Sequence, residues 1–271
     1  KTKIMNRIDN LFKTKSKDIL SISFCAGDPT PSSTADVIRS LERNGVDLVE
    51  IGMPFSDPLA DGPVIQAAST RSLKGGMSVR KLFGQLEGIR KDVSIPLIIM
   101  GYLNPIMQYG FEAFCKKCNE VGVDGLIIPD LPFREYEEHY RETAKAHNID
   151  MIMLITPETE EERIRKIDND SENGFIYMVS SASTTGAQKE FDAKKQEYFA
   201  RIDGMNLRRP RMIGFGISNE ATYKAAAAHA AGVIIGSRFV TLLNGTKDPD
   251  KAIGQLLEDI GRKGGLHTSK H

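Results

Sequence analysis

The sequence predicts a TIM-type (β/α)8 barrel, an α/β fold, with an extra N-terminal helix and a short extra helix after the last strand. Three observations predict it. The chain has 271 residues, close to the roughly 250 that such a barrel uses. Short Val- and Ile-rich apolar runs alternate with longer amphipathic stretches through about eight cycles, the pattern of parallel strands joined by crossover helices. No linker divides the chain, so residues 1–271 are expected to form one domain. An open doubly wound sheet shares this alternation, but about eight units close more naturally into a barrel.

The elements follow in order. Residues 1–18 are charged and amphipathic and read as a first helix that ends near Lys13–Lys17. Strands are expected at 19–27, 47–54, 96–103, 125–132, 150–157, 174–181, 211–218 and 232–237. These runs are nearly continuous in Val, Ile and Leu, as strands buried on both faces are. Between them lie helical patterns such as STADVIRSLERNG, MSVRKLFGQLEGIRK, FEAFCKKCNEVG, REYEEHYRETAKAH and TEEERIRKI. The segment Thr184 to Arg211 exceeds a simple connection and reads as a mobile lid or as a helix around Lys195–Ile202. Residues 264–271 read as a frayed polar tail.

Composition excludes several classes. Lys+Arg and Asp+Glu are both 36, so no basic face for nucleic acid is indicated. No apolar run approaches the roughly 18–20 residues of a membrane span, and the N-terminus lacks the apolar core of a secretory signal. Three cysteines, an odd and small number, point to a reducing, cytoplasmic compartment. Cys115 and Cys118 form a CxxC inside a helical pattern, with no second pair and no clustered histidine. They read as helix residues facing neighbouring structure rather than as a metal or redox pair.

In a barrel of this kind, reactive groups sit at strand C-termini and in the loops that follow. No lysine occupies a candidate strand, which argues against a Schiff base. His139, His147, His229, His267 and His271 fall on helices or the tail. What remains is acidic: Asp28, Glu50, Asp57, Asp61 and Asp130. Glu50 stands apart, because alternation puts it on one face with Leu48 and Gly52 in an apolar strand. An ionised carboxylate buried without partners costs several kcal/mol, so it implies either a task or a buried ion pair. An apolar surround raises its pKa toward neutrality, which suits acid and base work. Asp61 lies in a loop stiffened by Pro54, Pro58, Gly62 and Pro63, and either reaches over the barrel mouth or caps backbone N–H groups. Asp28, Asp57 and Asp130 read as loop braces.

Gly214-Phe215-Gly216-Ile217-Ser218 and Gly236-Ser237 end the last two strands, and Arg238–Thr241 opens a short helix. Glycines that admit an anion to backbone N–H groups, with a helix dipole behind them, make a phosphate site; tight turns alone are the plainer alternative.

Together these motifs resemble the α subunit of tryptophan synthase across nearly the whole chain. The carrying residues are Gly27-Asp28-Pro29, the run Asp47–Pro58, Ala60–Gln66, Met100–Ile106, Asp130-Leu131-Pro132, Thr185-Gly186, Gly214–Ser218 and Gly236-Ser237. The PFSDP-x-ADGP-x-IQ stretch is highly specific. The resemblance implies a carbon–carbon lyase of tryptophan biosynthesis that cleaves indole-3-glycerol phosphate to indole and glyceraldehyde 3-phosphate, without metal or organic cofactor. It assigns Glu50 as the acid–base group and Asp61 as the partner of the indole N–H. Tyr177, Phe215, Ile65 and Tyr102 would line the substrate site, and Thr185 would orient Asp61 from a mobile loop. Gly186, Gly216, Gly236 and Ser237 would bind the phosphate. A β subunit carrying pyridoxal phosphate would receive the indole in an α2β2 complex, docked on Pro54, Asp57 and the Asn104-Pro105 turn.

Two departures stand out: Ser23, where the family often has an aromatic, and Ser183, where a glycine is usual. A non-catalytic subunit that only activates its partner, and a metal-dependent phosphosugar aldolase or isomerase, are the competing readings. The pairing of Glu50 with Asp61 argues against the first, and the lack of clustered ligands argues against the second.

Overall fold

The structure is a computed structural model that describes residues 5–171, 173–180 and 192–262. Its strands are β1 (Ile19–Cys25), β2 (Leu48–Gly52), β3 (Leu97–Met100), β4 (Gly125–Ile127), β5 (Asp150–Met151), β6 (Met153–Ile155), β7 (Ile176–Val179), β8 (Arg211–Gly214) and β9 (Gly232–Ile235). All pair in parallel, in the order β5-β4-β3-β2-β1-β9-β8-β7-β6. The two ends of that order are one stretch of chain. β5 pairs with β4 and β6 pairs with β7, so the run Asp150–Ile155 closes the ring. The expected fifth strand is therefore split at Ile152, where the ladder changes neighbour; the Ile152 N–H still donates to the Leu126 carbonyl at 2.9 Å.

Alternation sorts the strand residues into two cores. Leu20, Ile22, Val49, Ile51, Leu97, Ile99, Met178, Ile213 and Val233 point outward and pack with the helices. Ile19, Leu48, Ile98, Ile127, Ile152, Phe175, Tyr177, Met212 and Ile234 point inward and fill the barrel. Glu50 lies two residues beyond Leu48, on the inward face at the C-terminal end.

The N-terminal helix is shorter than expected, Arg7–Thr14, and it plugs the opposite mouth. Ile8 is fully buried in the inner core, against Gly125, where an added Cβ would lie 2.8 Å from its Cδ1. Asn6 caps the helix through the Ile8 N–H, and its Nδ2 donates to the Asp124 and Asn148 carbonyls at 2.7 and 3.0 Å. Asp124 accepts from Arg7, Arg90 and the Leu97 N–H, tying helix and strands together.

Most expected helices appear: Thr34–Arg43, Val79–Leu86, Phe111–Val121 and Glu161–Asp170. The 134–147 pattern forms one continuous helical stretch with a π turn at Tyr136–Tyr140. The helix read around Lys195–Ile202 spans Ala193–Gly204, capped by Asp192, which accepts from the Lys195 N–H at 3.0 Å. The lid reading of that segment, with Ser183, Thr185 and Gly186, lies outside the described residues, as does the 264–271 tail. Asn104 and Pro105 do not form a turn; they sit in the first turn of a helix, Leu103–Tyr109. Proline is tolerated there because first-turn N–H groups have no intrahelical partner. The short helix after the last strand spans Ser237–Thr246 and is followed by Pro249–Asp259. Cys115 and Cys118 are buried helix residues whose thiol pKa values are pushed up by burial, and no metal-holding cluster occurs among the described residues. No helix among them is long and apolar enough to cross a membrane.

Truncating Ile8 should expose how far the plug matters. Ile8→Ala is expected to lower stability by about 2–5 kcal/mol through the cavity left at the barrel floor. Urea denaturation checks this, and an unchanged midpoint would show that the plug contributes little.

Candidate active site

A cavity of about 360 Å³ opens at the C-terminal ends of the strands. Glu50, Asp61, Ile65, Tyr102, Tyr177, Phe215, Gly216, Gly236 and Ser237 all line it, so nine site residues named from sequence converge there. Thr185 and Gly186 lie outside the described residues. No Lys or His stands among the lining residues, and Arg238, which does, is held by Asp259 at 2.6 Å.

Glu50 is the deepest acid. It is only 2% exposed, in a wall built by Met100, Tyr177 and Ile234. Among the described residues its carboxyl receives one hydrogen bond, from the Ser23 hydroxyl at 3.1 Å, and no ion pair. Burial pushes its pKa up to about 7; the Ser23 bond pulls down, and nearby Asp61 pushes up further. Among the described residues, the buried ion pair that sequence left open does not form at Glu50.

Asp61 sits where the β2 loop turns into the helix Pro63–Lys74. Gly62 is the N-cap and Pro63 opens the first turn, which sets the direction of the loop. The Tyr102 hydroxyl donates to Asp61 Oδ2 at 2.9 Å and accepts from the Ala60 N–H at 3.0 Å, clamping the loop on both sides of its turn. Phe55 stacks on Tyr102, with ring centroids 5.2 Å apart. The Phe55 backbone is held by Ser69, whose hydroxyl accepts from its N–H and donates to its carbonyl. Among the described residues the Asp61 side chain caps no backbone N–H, and the residue lines the cavity. Burial raises its pKa and the Tyr102 bond opposes the rise.

The far end of the cavity is made of backbone. Phe215 (φ 70°) and Gly216 (φ 74°) both take left-handed conformations. For a phenylalanine that costs about 1–3 kcal/mol, and the Ser180 hydroxyl, which donates to the Phe215 carbonyl, helps hold it. The turn lays the Phe215 ring 6.1 Å from Tyr177. Tyr177 in turn needs Gly214, because a Cβ there would meet its hydroxyl oxygen at 2.4 Å. Across from this turn, Gly236 starts the helix Ser237–Thr246; its carbonyl accepts from Val240, so the first N–H groups of the helix have no intrahelical acceptor. Such N–H groups, with the helix dipole, suit an anion.

The remaining acids brace. Asp28 accepts from Arg71 at 2.9 and 3.1 Å and from Asn244 at 2.7 Å. Asp130 caps the Leu103 N–H at 2.8 Å, and exposed Asp57 accepts from the Ser56 hydroxyl at 2.6 Å. Of the residues assigned to a partner, Pro54 is buried, Asn104 and Asp57 are exposed, and Pro105 is half-buried. Sequence reasoning treated Ser23 only as a departure in the pocket wall. Its bond to Glu50 comes from cross-strand register, Ser23 opposite Glu50, which no local pattern reveals.

The Tyr102–Asp61 contact is directly testable. Removing the hydroxyl in Tyr102→Phe takes away the bond that favours the Asp61 carboxylate, so the Asp61 pKa should rise further. Carboxyl-carbon NMR titration reads it, and an unmoved or lowered value would discard the clamp.

Residues 11–263 match the family model described as tryptophan synthase alpha chain. The chain is 62% identical over 252 residues to the tryptophan synthase alpha chain of Bacteroides fragilis, covering 93% of this chain and 95% of the relative. Identity to that of Phocaeicola vulgatus is 64% over 257 residues, 94% and 99% of the two chains. Among solved structures, tryptophan synthase subunit alpha from Legionella pneumophila aligns with a TM-score of 0.84 at 34% identity, over 95% of this chain and 97% of that one. With the cavity, its two acids and its glycine-lined end in the positions that the sequence motifs mark, these matches establish that the chain belongs to the tryptophan synthase alpha chain family.

Proposed function

We propose that Glu50 and Asp61 carry the family's cleavage of indole-3-glycerol phosphate in this chain, with the phosphate held at Gly216, Gly236 and Ser237. The reaction is that of a carbon–carbon lyase of tryptophan biosynthesis: it yields indole and glyceraldehyde 3-phosphate, and the indole passes to a β subunit. The observation that carries the residue assignment is Glu50 itself, a carboxyl without a cation, buried in the cavity with its pKa raised to about 7.

The chemistry needs a proton given to carbon and one taken from oxygen. Protonated Glu50 delivers its proton to indole C3, and the ring becomes an iminium-like cation. Asp61, as carboxylate, accepts the indole N–H and stabilises that charge. The Glu50 carboxylate then takes the proton of the glycerol hydroxyl next to the ring. The carbon–carbon bond breaks, its electron pair returns to the ring, and the oxygen becomes the aldehyde carbonyl. Glu50 ends protonated, as it began. A pKa near the working pH serves both transfers, each contributing ~10²–10⁴-fold. Tyr177, Phe215, Ile65 and Tyr102 supply the indole walls. The phosphate, far from the breaking bond, provides binding energy that aligns it. By the family resemblance, Thr185 would orient Asp61 and Gly186 would add to the phosphate clamp.

No resident metal or organic cofactor enters this scheme; pyridoxal phosphate belongs to the β partner. The working assembly is an α2β2 complex in the cytoplasm. Asp57 and Asn104 are exposed and Pro105 is half-buried, and they neighbour in sequence the cavity-lining Pro58 and Tyr102. Leu59, an apolar side chain on the same loop as Asp57, is 89% exposed, and Met107, in the helix that holds Asn104 and Pro105, is 44% exposed. Such exposure on a loop tip suits a partner surface.

Glu50→Gln should abolish indole release while substrate still binds, since size is kept and the proton is lost; near-normal turnover would sink the assignment. The same variant tests burial. The folded pKa of Glu50 lies above its ordinary 4.5, so its burial favours folding below that value and this contribution is lost as pH rises through about 7. The loss is on the order of 3 kcal/mol. Glu50→Gln is therefore expected to be more thermostable than the parent at pH 8 and to lose that advantage toward pH 4; equal melting temperatures throughout would refute the raised pKa. For the partner, Leu59→Asp should weaken stimulation by the β subunit about tenfold or more while leaving activity alone unchanged, read by titrating β subunit into an indole-release assay.

A further inference from the structure

We infer that Ser23 is the positioning residue of Glu50: its hydroxyl holds Oε1, leaving Oε2 as the oxygen that gives and takes the proton. The inference rests on the reading of Glu50 as the acid–base group. Ser23 and Glu50 are direct cross-strand partners in β1 and β2, both on the inward face. Neighbouring parallel strands lie about 4.8 Å apart, so a short serine side chain reaches the carboxyl without crossing the cavity. The Ser23 Oγ donates to Glu50 Oε1 at 3.1 Å, and the described residues offer that carboxyl no other hydrogen bond.

A carboxylic acid carries its proton on one oxygen at a time. An O–H donor aimed at Oε1 can bond it when Glu50 is ionised and when Glu50 is protonated on Oε2. A proton on Oε1 would face the Ser23 donor head-on and force the hydroxyl to turn away. The arrangement therefore selects Oε2 in both halves of the cycle, so proton delivery and proton recovery use one atom in one orientation. Ser23 also borders the opposite end of the site: a Cβ at Gly236 would lie 3.5 Å from the Ser23 Cβ. The residue thus lies close both to the acid and to the end of the cavity assigned to phosphate.

The titratable groups facing Glu50 are few. Asp61 approaches from the β2 loop and Tyr177 from β7. Burial, Asp28 and Asp61 hold the Cys25 thiol neutral, with its pKa near 12, and Arg238 is taken by Asp259. β3 and β9 present Ile98, Met100 and Ile234. Among the described residues no cation competes, and Ser23 is the one neighbour that favours the charged form of Glu50.

The test is the pH profile of indole release by the complex with its β subunit, for Ser23→Ala and Ser23→Thr. Removing the donor should move the alkaline limb upward by about half a unit to one unit. It should also lower kcat about tenfold, with KM within about twofold. Ser23→Thr keeps the hydroxyl and should restore the parent limb. An alkaline limb and kcat unchanged in Ser23→Ala would overturn the inference, as would a Ser23→Thr limb displaced as far as that of Ser23→Ala. Failure of the underlying reading looks different: there Glu50→Gln itself would retain turnover.

Discussion

The site depends on one constraint: a carboxyl buried among apolar side chains with no cation beside it among the described residues. Such a group is costly to ionise. The cost is bearable because the proton can stay on, and because the rest of the barrel supplies stability that does not depend on this residue. The closed ring, the inner core from Ile19 to Ile234 and the larger outer core among the helices are complete without Glu50. The Ile8 plug seals the far mouth, so the interior beneath Glu50 is filled by side chains rather than solvent. That filling is what keeps the surroundings apolar and the pKa near neutrality.

Partners then separate the acids that brace the fold from the two proposed to react. Asp124 is gripped by Arg7, Arg90 and a backbone N–H, Asp47 by Lys15 and the Leu20 N–H, and Asp28 by Arg71 and Asn244. Each is neutralised or saturated and holds elements together. Glu50 and Asp61 receive only hydroxyls, from Ser23 and Tyr102. A hydroxyl orients a carboxyl without cancelling its charge, which suits the acid–base role proposed for these two. Glu50 is the more deeply buried of the two, and burial raises the pKa of both.

Much of this was legible in sequence, because the inward and outward sorting of strand residues follows from a period of two. Glu50 could be placed beside Leu48 and Gly52, and lysines and histidines could be excluded from the strand ends, by counting alone. What resisted was whatever depends on contacts between strands. The stretch Met151–Ile155 is apolar without a break, so nothing local marks Ile152 as the point where the ladder changes neighbour. The Ser23–Glu50 bond is a matter of register. The first turn at Leu103 looked like a loop because Asn-Pro is a turn signal, yet Asp130 accepts from the Leu103 N–H and starts a helix there. Phe215 gives no warning of its left-handed backbone; the glycine beside it draws the eye, while the Ser180 hydroxyl holds the turn from another strand end.

Asp28 has a mechanical consequence. Its carboxylate grips Arg71 in the helix that continues from Asp61 and Asn244 in the helix that starts at Gly236. One fully buried side chain therefore works as a tie rod between the two arms of the cradle. A tilt of either helix pulls on the other through about 6 Å of polar contacts, two hydrogen bonds in series. The opening between Asp61 and Gly236 behaves as a single jaw with one adjustable width, rather than as two walls that drift apart independently.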